Sequence, residues 1–477
     1  MAFRDNREFF EALLRTGDGI RVAREVDWDL EMGAIVRRVC EMGGPAPLFE
    51  SIRDYPGWRA LGAPLATFRR LAVALGLPAH ASVREISEVY IEKTRAPGPE
   101  PKLVSTGPCK ENVVVGDEVD LFMLPAPMVH EGDGGRYLST WHMVVSKDPD
   151  TAEVNWGMYR QMVIDEHTMV GPLLPVSDTG RVFHNKYKPK NKPMPFATVI
   201  GADPTSSIAA AAGVPWQEPV FASALSGEPV ELVKCETVDL EVPATAEVVL
   251  EGEILPGKEL PEGPFGEYPG YRTSLREPRT VYRVNAITYR NNPILPGANM
   301  GVPVDEGQLL RAFTLGLEAR RILASQGLPV SEVFMPPCSA HHLMIVSVKS
   351  AVTNIAVQVA HALFGSKLAP WFYYVVVVDA DVDIYNLEEV IHAICTGCHP
   401  GRGIRIYEDD IGSFATPFLS LEERRQGRGA KAVFDCTFPP DWDPKTELPI
   451  KVSFETNYPK EVKERVIANW KDYGFPQ

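Results

Sequence analysis

No apolar run in this 477-residue chain is long enough to cross a bilayer. The longest, such as Trp371 to Val378, falls far short of the roughly 20 residues a helical span needs. Met1 to Phe10 hold no apolar signal-peptide core, so a cytoplasmic location is the expectation. Cysteine is scarce: seven, at 40, 109, 235, 338, 395, 398 and 436, scattered and odd in number. That excludes a disulfide framework and fits a reduced compartment. Positive charge is in deficit, 48 Lys and Arg against 63 Asp and Glu, for a net charge of −15. Nucleic acid and anionic membrane are therefore poor general partners. There is no Walker Gly-Lys-Ser/Thr, and Gly132-Asp133-Gly134-Gly135 is not a GxGxxG fingerprint, so pyridine-nucleotide binding is unsupported. Cys395-Thr396-Gly397-Cys398-His399 has the spacing of a covalent haem site and of a redox CxxC. Haem attachment requires export, and neither a second CxxC nor a histidine pair follows to complete a zinc site. The segment reads as a helix end running into the Pro400-Gly401 turn.

What is present is a multidomain globular chain, 45% hydrophobic and 23% charged. Up to about residue 100 it reads mostly as helix, with helical apolar spacing over Phe3–Arg15, Leu30–Met42, Thr67–Leu75 and Ser82–Lys93. The Pro- and Gly-rich stretch from Thr94 to Pro101 marks a boundary. From 102 to about 300, short β-branched runs alternate with Gly, Pro and Asp turns, which predicts a β-rich barrel or sandwich. Gly307 to Gln326 reads as one long linker helix. Beyond it, strand and helix alternate, and the continuous apolar strand Phe372–Val378 implies an α/β layer covered on both faces. A last helix spans Lys460 to Trp470.

The most informative segment is Glu262-Gly263-Pro264-Phe265-Gly266-Glu267. Pro264 and the two glycines forbid helix interior, so the segment is a bent loop able to aim two carboxylates into one cavity. Two carboxylates held close do not both ionise easily, which poises one as a proton donor. In Asn155-Trp156-Gly157-Met158-Tyr159-Arg160, a regular strand would put Asn155 and Arg160 on opposite faces, and a bend at Gly157 would let them converge. Arg160 is the natural bidentate partner for a glutamate; the alternative is a surface ion pair. The basic stretch Arg181 to Lys192, with His184, suits an anionic group or is a solvated loop. Gly201-Ala202-Asp203-Pro204-Thr205-Ser206-Ser207 suits a phosphate or monovalent ion, or is an Asp-Pro turn capping a helix. Glu218, in Pro215-Trp216-Gln217-Glu218-Pro219, is either a helix N-terminal charge or a metal ligand. Asn155, His184 and Glu218 together offer two oxygens and a nitrogen, a donor set for Mg²⁺ or Mn²⁺.

The order of these segments carries more than any one of them. Asn-x-Gly-x-Tyr-Arg, then Lys-Pro-Met-Pro-Phe-Ala with Ile-Gly-Ala-Asp-Pro, then Glu-Gly-Pro-Phe-Gly-Glu, and later the run Val376–Ile384, resembles the UbiD family of (de)carboxylases over nearly the whole chain. The resemblance implies an α+β fold: a β-rich split-barrel flavin-binding domain, a long linker helix and an α/β C-terminal domain. The expected divisions are 1–101, 102–305, 306–328, 329–455 (oligomerisation and substrate pocket) and 456–477. It further implies prenylated FMN with Mn²⁺ and K⁺, the cofactor supplied by a flavin prenyltransferase. The implied reaction is reversible non-oxidative decarboxylation of an aromatic or heteroaromatic acid through a covalent substrate–cofactor adduct. By resemblance the catalytic triad falls on Arg160, Glu262 and Glu267, with Glu267 as proton donor, and the metal ligands on Asn155, His184 and Glu218. The cofactor contacts fall on Thr140, Met158, Tyr159, Arg160, Ser206, Ser207 and Glu218, with Lys367 a further candidate. A homodimer or higher homo-oligomer is expected. The chemistry agrees: loss of CO₂ from an sp² carbon needs an electron sink that side chains do not offer. Gly297, Ala298 and Gly301 leave room for a ring, and Asn299 is placed to hydrogen-bond a ring substituent. The competing readings are an FMN-dependent oxidoreductase and a non-catalytic subunit of a larger carboxylase.

Overall fold

The computed structural model describes residues 3–476 apart from Val214, Pro215, Ser274, Pro303, Ser350, Ala351 and Pro444. Pro215, which opens the segment read around Glu218, thus lies outside the described residues.

The N-terminal region is less helical than its periodicity suggests. Helices form at Asn6–Thr16, Glu31–Met42, Phe68–Ala74 and Val83–Lys93. Ser82 and Glu85 close a capping box at the start of the last. Between them, however, lie strands Gly19–Val22, Ala46–Phe49 and Arg59–Gly62, which form a sheet with Ile294–Gly297. Ala46–Phe49 is buried at every position, so it shows neither helical spacing nor alternation. That is why four-residue strands escape a reading by period.

The middle of the chain is one large curled sheet. Its order runs Tyr137–Ser139, Gln161–Asp165, Thr168–Gly171, Glu277–Tyr289, Val248–Glu262, Met194–Ile200, His142–Lys147 and Val154–Gly157, with Asn112–Val115 also paired to Glu277–Tyr289. The neighbours in this order pair antiparallel, and the strand Val248–Glu262 runs 15 residues to end on Glu262 opposite Glu277. Its register against Glu277–Tyr289 shifts twice, between Glu251 and Gly252 and between Leu255 and Glu259.

The helix Glu306–Ser325 follows, with the Asp305 carboxylate accepting the Gln308 amide at 3.0 Å as its N-cap. The C-terminal sheet has the order Val330–Phe334, Leu343–Val348, Tyr374–Asp379, Arg428–Cys436, Ile404–Ile411. In the central strand, Val375 and Val377 pack with Val359 and Leu363 of the helix Ile355–Phe364. Val376 and Val378 pack on the other side with Val390 and Ala393 of the helix Leu387–Gly397. The continuous apolar run is thus covered on both faces, as an α/β layer requires. The fold is a mixed α+β chain with a strand-rich, curled half-barrel at its centre. Among the described residues, no helix is long and apolar enough to cross a membrane.

Candidate active site

The two carboxylates of the Gly-Pro-Phe-Gly segment meet at one guanidinium. Arg160 donates from Nε to Glu262 Oε1 (2.9 Å) and from Nη2 to Oε2 (3.0 Å), a bidentate fork, while Nη1 faces Glu267 Oε1 as a second ion pair. All three side chains are buried: 9% of Arg160, 1% of Glu262 and 6% of Glu267 remain exposed. Buried charge at this density persists only when paired, and here it is. The two carboxylates share Arg160, which forms an ion pair with each. Phe265, fully buried, lies with its ring 5.2 Å from the Arg160 guanidinium carbon and 4.3 Å from the Tyr137 ring. Tyr137 adds a hydrogen bond to Glu262 Oε1 at 2.6 Å. Tyr137 stands 125 residues before Glu262 and escaped the sequence reading.

The strand carrying Asn155 ends at Gly157, where a bend is anticipated. Met158–Arg160 leave the ladder, and a Cβ on Gly157 would sit 2.4 Å from the Tyr159 hydroxyl. The Tyr159 carbonyl accepts from His142 Nε2 at 2.9 Å, and burial lowers the pKa of His142 to about 4, so that imidazole is neutral.

A second loop holds the first. The glycine-rich stretch that fails as a nucleotide fingerprint packs backbone to backbone against the carboxylate segment. Gly134 donates its amide to the Pro264 carbonyl at 2.7 Å, and Asp133 Oδ1 accepts the Gly266 amide at 3.0 Å. A Cβ on Gly134 would lie 2.0 Å from the Gly263 carbonyl oxygen, so only glycine fits. Behind it, His130 reaches Asp133 Oδ2 with Nδ1 (3.0 Å) and Asn299 Oδ1 with Nε2 (2.8 Å). Asn299, 2% exposed, donates from Nδ2 to the Gly33 carbonyl at 2.7 Å. Both ends of the Asn299 amide are thus engaged within the protein, while the residue also lines the cavity shared by Thr140, Gly297 and Ala298.

Asn155 lies on the strand Val154–Gly157, and Glu218 is bonded to the backbone of the next residue on that strand, Trp156. Asn155 Nδ2 donates to Thr179 Oγ1 at 2.9 Å, and Glu218 Oε2 accepts the Trp156 amide at 3.0 Å. No hydrogen bond among the described residues engages Asn155 Oδ1 or Glu218 Oε1. Glu218 is the first residue of the helix Glu218–Ser226, and burial, with a smaller push from Asp178, raises its pKa to about 7. A carboxylate so poorly solvated suits a cation. His184 donates Nε2–H to the Leu173 carbonyl at 2.9 Å, which leaves Nδ1 as its lone-pair nitrogen, but nothing joins it to Asn155 or Glu218 among the described residues. Nor, among them, do three His, Cys, Asp or Glu side chains converge as a metal cluster.

Around His184, Lys186 pairs with Asp148 (2.6 Å) and Asp150 (3.0 Å), and Arg181 with Asp178 (2.7 Å). Two of the five Lys and Arg side chains in this stretch, Arg181 and Lys186, are therefore held in local ion pairs. Asp203 caps the helix Pro204–Ala211, accepting the Ser206 amide at 3.0 Å and the Ser206 hydroxyl at 2.5 Å, and its carbonyl accepts Ser207 Oγ at 3.1 Å. Both serines are buried, and with their hydroxyl protons directed inward their oxygens offer lone pairs. Thr140 Oγ1 accepts the Ala298 amide at 3.1 Å and lines a largely apolar cavity with Gly297, Ala298 and Leu138. Lys367 is mostly exposed, its nearest carboxylate Glu318 at 3.9 Å, and it makes no contact with the glutamate loop among the described residues. Cys398 is the C-cap of the helix Leu387–Gly397, and His399 Nδ1 accepts the Gly401 amide at 3.1 Å, so the Cys-x-x-Cys-His segment is the helix end and turn expected.

A strand-rich half-barrel that buries one arginine between a strand-end glutamate and a loop glutamate is the arrangement expected of a UbiD-class site, and the chain belongs to the UbiD family of carboxy-lyases. Residues 102–303 match the 3-octaprenyl-4-hydroxybenzoate carboxy-lyase Rift-related domain, 10–90 the N-terminal domain and 308–436 the C-terminal domain of that family. The chain is 35% identical to the pyrrole-2-carboxylic acid decarboxylase of Pseudomonas aeruginosa, covering 99% of this chain and 98% of that protein. It is 32% identical to ferulic acid decarboxylase 1 of Saccharomyces cerevisiae, covering 98% of each. Among solved structures it is similar to the vanillic acid decarboxylase of Sedimentibacter hydroxybenzoicus in its closed form (TM-score 0.89, 30% identity, 99% of this chain and 100% of that one). It is also similar to the UbiD-class enzyme HmfF of Pelotomaculum thermopropionicum in complex with FMN (TM-score 0.82, 30% identity, 94% and 97%).

Proposed function

We propose that this carboxy-lyase removes CO₂, reversibly, from a heteroaromatic or aromatic acid, with Glu267 as the proton donor. The observation that carries the reading is the buried Arg160 that meets both Glu262 and Glu267. Prenylated FMN, when bound, supplies the electron sink that the side chains lack. Arg160 orients the substrate carboxylate and holds Glu267 in place. Glu262, tied by Tyr137 and by the Arg160 fork, keeps that guanidinium from swinging away. Glu267, ion-paired with Arg160 at rest, takes up a proton from water and then delivers it to the ring carbon that has lost CO₂, a contribution typically worth about 10²–10⁴ in rate.

The donor set fits the cofactor's ions. Asn155 and Glu218 each offer an oxygen that accepts no hydrogen bond from the described residues, a pair of hard ligands for Mn²⁺. His184 is proposed as the third ligand through Nδ1. Ser206 and Ser207, whose hydroxyl protons point inward, are proposed to face K⁺ with their lone pairs, and Thr140, Met158 and Tyr159 to touch the flavin. On this reading residues 102–305 hold the cofactor. Residues 329–455 close the pocket and carry subunit contacts, flanked by 1–101, the linker 306–328 and the tail 456–477. A homo-oligomer in the cytoplasm, loaded by a flavin prenyltransferase, completes the proposal.

The similarity to a pyrrole-2-carboxylic acid decarboxylase favours a five-membered heteroaromatic acid. The test is protein co-expressed with a flavin prenyltransferase, its released cofactor weighed, and CO₂ release measured on pyrrole-2-, furan-2- and hydroxybenzoic acids. Expected are FMN plus a five-carbon unit and turnover of at least one ring acid. Plain FMN with no CO₂ release after reconstitution with the oxidised prenylated cofactor, Mn²⁺ and K⁺ would overturn it.

A further inference from the structure

The loop that carries Glu267 is not anchored by its own stiffness alone. It leans on residues 130–134, and those lean on His130. Asp133 Oδ1 takes the Gly266 amide, one residue from Glu267, while Asp133 Oδ2 takes His130 Nδ1. The far side of the imidazole is held as firmly: Nε2 lies 2.8 Å from Asn299 Oδ1 and 3.0 Å from the Met300 carbonyl. The Asn299 orientation is fixed by its other end, since Nδ2 donates to the Gly33 carbonyl. The ring itself fills the space over Gly266, where a Cβ would come within 2.7 Å of Nδ1. Phe265 presents to it edge-on, centroids 6.2 Å apart.

We infer that His130 is a positioning residue for Glu267: as an imidazolium it joins the Asp133–Gly266 anchor to the Asn299 loop and thereby fixes where the proton donor stands. Among the described residues, the hydrogen-bond partners of both ring nitrogens are oxygen acceptors. A neutral imidazole has one N–H, so it would turn a lone pair on either the Asp133 carboxylate or the Asn299 and Met300 oxygens. The protonated ring satisfies both sides and sets a positive charge against Asp133. Burial opposes that charge, yet the hydrogen bonds and charge of Asp133, with those of Asn299 and Met300, leave the His130 pKa above the ordinary value. The other charged groups around the 130–134 segment include Glu131 within it, Arg276, which donates to the Gly134 carbonyl at 3.1 Å, and two further arginines. Arg272 lies 3.6 Å from Asp133 Oδ1, sharing that carboxylate, and Arg37 donates to the Asn299 carbonyl at 2.8 Å. Both disfavour the imidazolium, and Asp133 is the group that offsets them.

This inference rests on the reading of Glu267 as proton donor, and the test separates the two. Holoenzyme labelled at histidine Cε1 is titrated by NMR, the His130 signal being assigned by its loss in His130→Gln. The pH dependence of kcat is followed in the wild type, His130→Gln, Asp133→Asn and Glu267→Gln. Expected is a His130 midpoint above about 6.5, falling in Asp133→Asn, with wild-type kcat declining as pH rises through the same midpoint. His130→Gln should lower kcat about 10- to 100-fold, with KM within about threefold and flavin content retained, and should lose that limb of the pH profile. If His130→Gln fails to fold, the near-isosteric Asp133→Asn carries the same kinetic test. A His130 midpoint at or below the ordinary value, or a variant with wild-type kcat and pH profile, would overturn the inference. Full turnover in Glu267→Gln, beside a raised midpoint and a slow His130→Gln, would remove Glu267 as donor and leave the anchoring of the loop by His130 standing.

Discussion

Tyr137 and Glu262 share a buried hydrogen bond of 2.6 Å on the same oxygen that receives Arg160 Nε. The phenol and the guanidinium together settle that carboxylate in one rotamer, which leaves Arg160 Nη1 free to face Glu267. Tyr137→Phe removes the donor without changing the shape of the ring. The expected cost is about 1.5–3 kcal/mol of stability, the usual range for a hydrogen bond to a charged group, read from urea unfolding. kcat should fall about 3- to 30-fold with flavin content unchanged. Wild-type stability in the variant would mean that the bond contributes nothing net.

Glu267→Gln keeps size and polarity and removes the proton. The protein should fold and take up its cofactor, and CO₂ release should drop by at least about 100-fold. A variant that keeps more than about a tenth of the wild-type rate takes Glu267 out of the donor role.

Glu218→Ala should separate cofactor loading from catalysis. Loss of this ligand is expected to lower both manganese and flavin content, measured by elemental analysis and by absorbance of the released cofactor. Full occupancy in the variant would contradict the metal assignment.

The position of Glu306 has a consequence for pH. Its side chain is wholly buried, neither carboxyl oxygen has a hydrogen-bond partner among the described residues, and burial, reinforced by Asp305, raises its pKa to about 8. Arg70 and Arg37 pull the other way without prevailing. In the unfolded chain the same carboxyl ionises near 4.3. Between those values the unfolded state holds fewer protons, so folding stability declines as pH rises through this window. Glu306→Gln cannot ionise. It should stabilise the protein at pH 8 by an amount on the order of 2–4 kcal/mol and change it little at pH 4. Thermal melts at the two pH values decide it: an equal shift at both would exclude the ionisation of Glu306 as the cause.

Gly134→Ala would drive a methyl group into the Gly263 carbonyl and part the two loops. Activity should fall more than stability does, because the displaced segment carries Glu267. Gly44→Ala, whose added carbon meets Val39 no nearer than 3.7 Å, is the matched control and should be near neutral.

Much of the site could be read from the chain because its information is local. Pro264 and the flanking glycines dictate a bend, Gly157 breaks a strand, and Asp203-Pro204 starts a helix, each through its own backbone preference. The buried valines of the C-terminal sheet are equally self-evident. What escaped depends on partners far apart in sequence. Nothing near Glu262 points to Tyr137, and nothing near Gly266 points to Asp133, 133 residues earlier. Asn299 looked available because its neighbours are small, but His130 and Gly33 occupy its amide. The N-terminal strands were hidden for another reason: four residues are too few to display a period.

The strand Ile294–Gly297 comes at the end of the half-barrel segment, yet it completes the sheet begun by Gly19–Val22, pairing in parallel with Arg59–Gly62. Arg7, at the start of the chain, grips Glu247 with two bonds of 2.8 Å, and Glu247 in turn accepts the Ile294 amide. The first hundred residues are therefore not a detachable module. A fragment cut in the 94–101 linker would expose a raw sheet edge and abandon a buried carboxylate in what remains. Chimeras that exchange substrate pockets between relatives should accordingly be joined within or beyond the helix Glu306–Ser325, since any earlier crossover severs a sheet that two distant stretches of the gene build together.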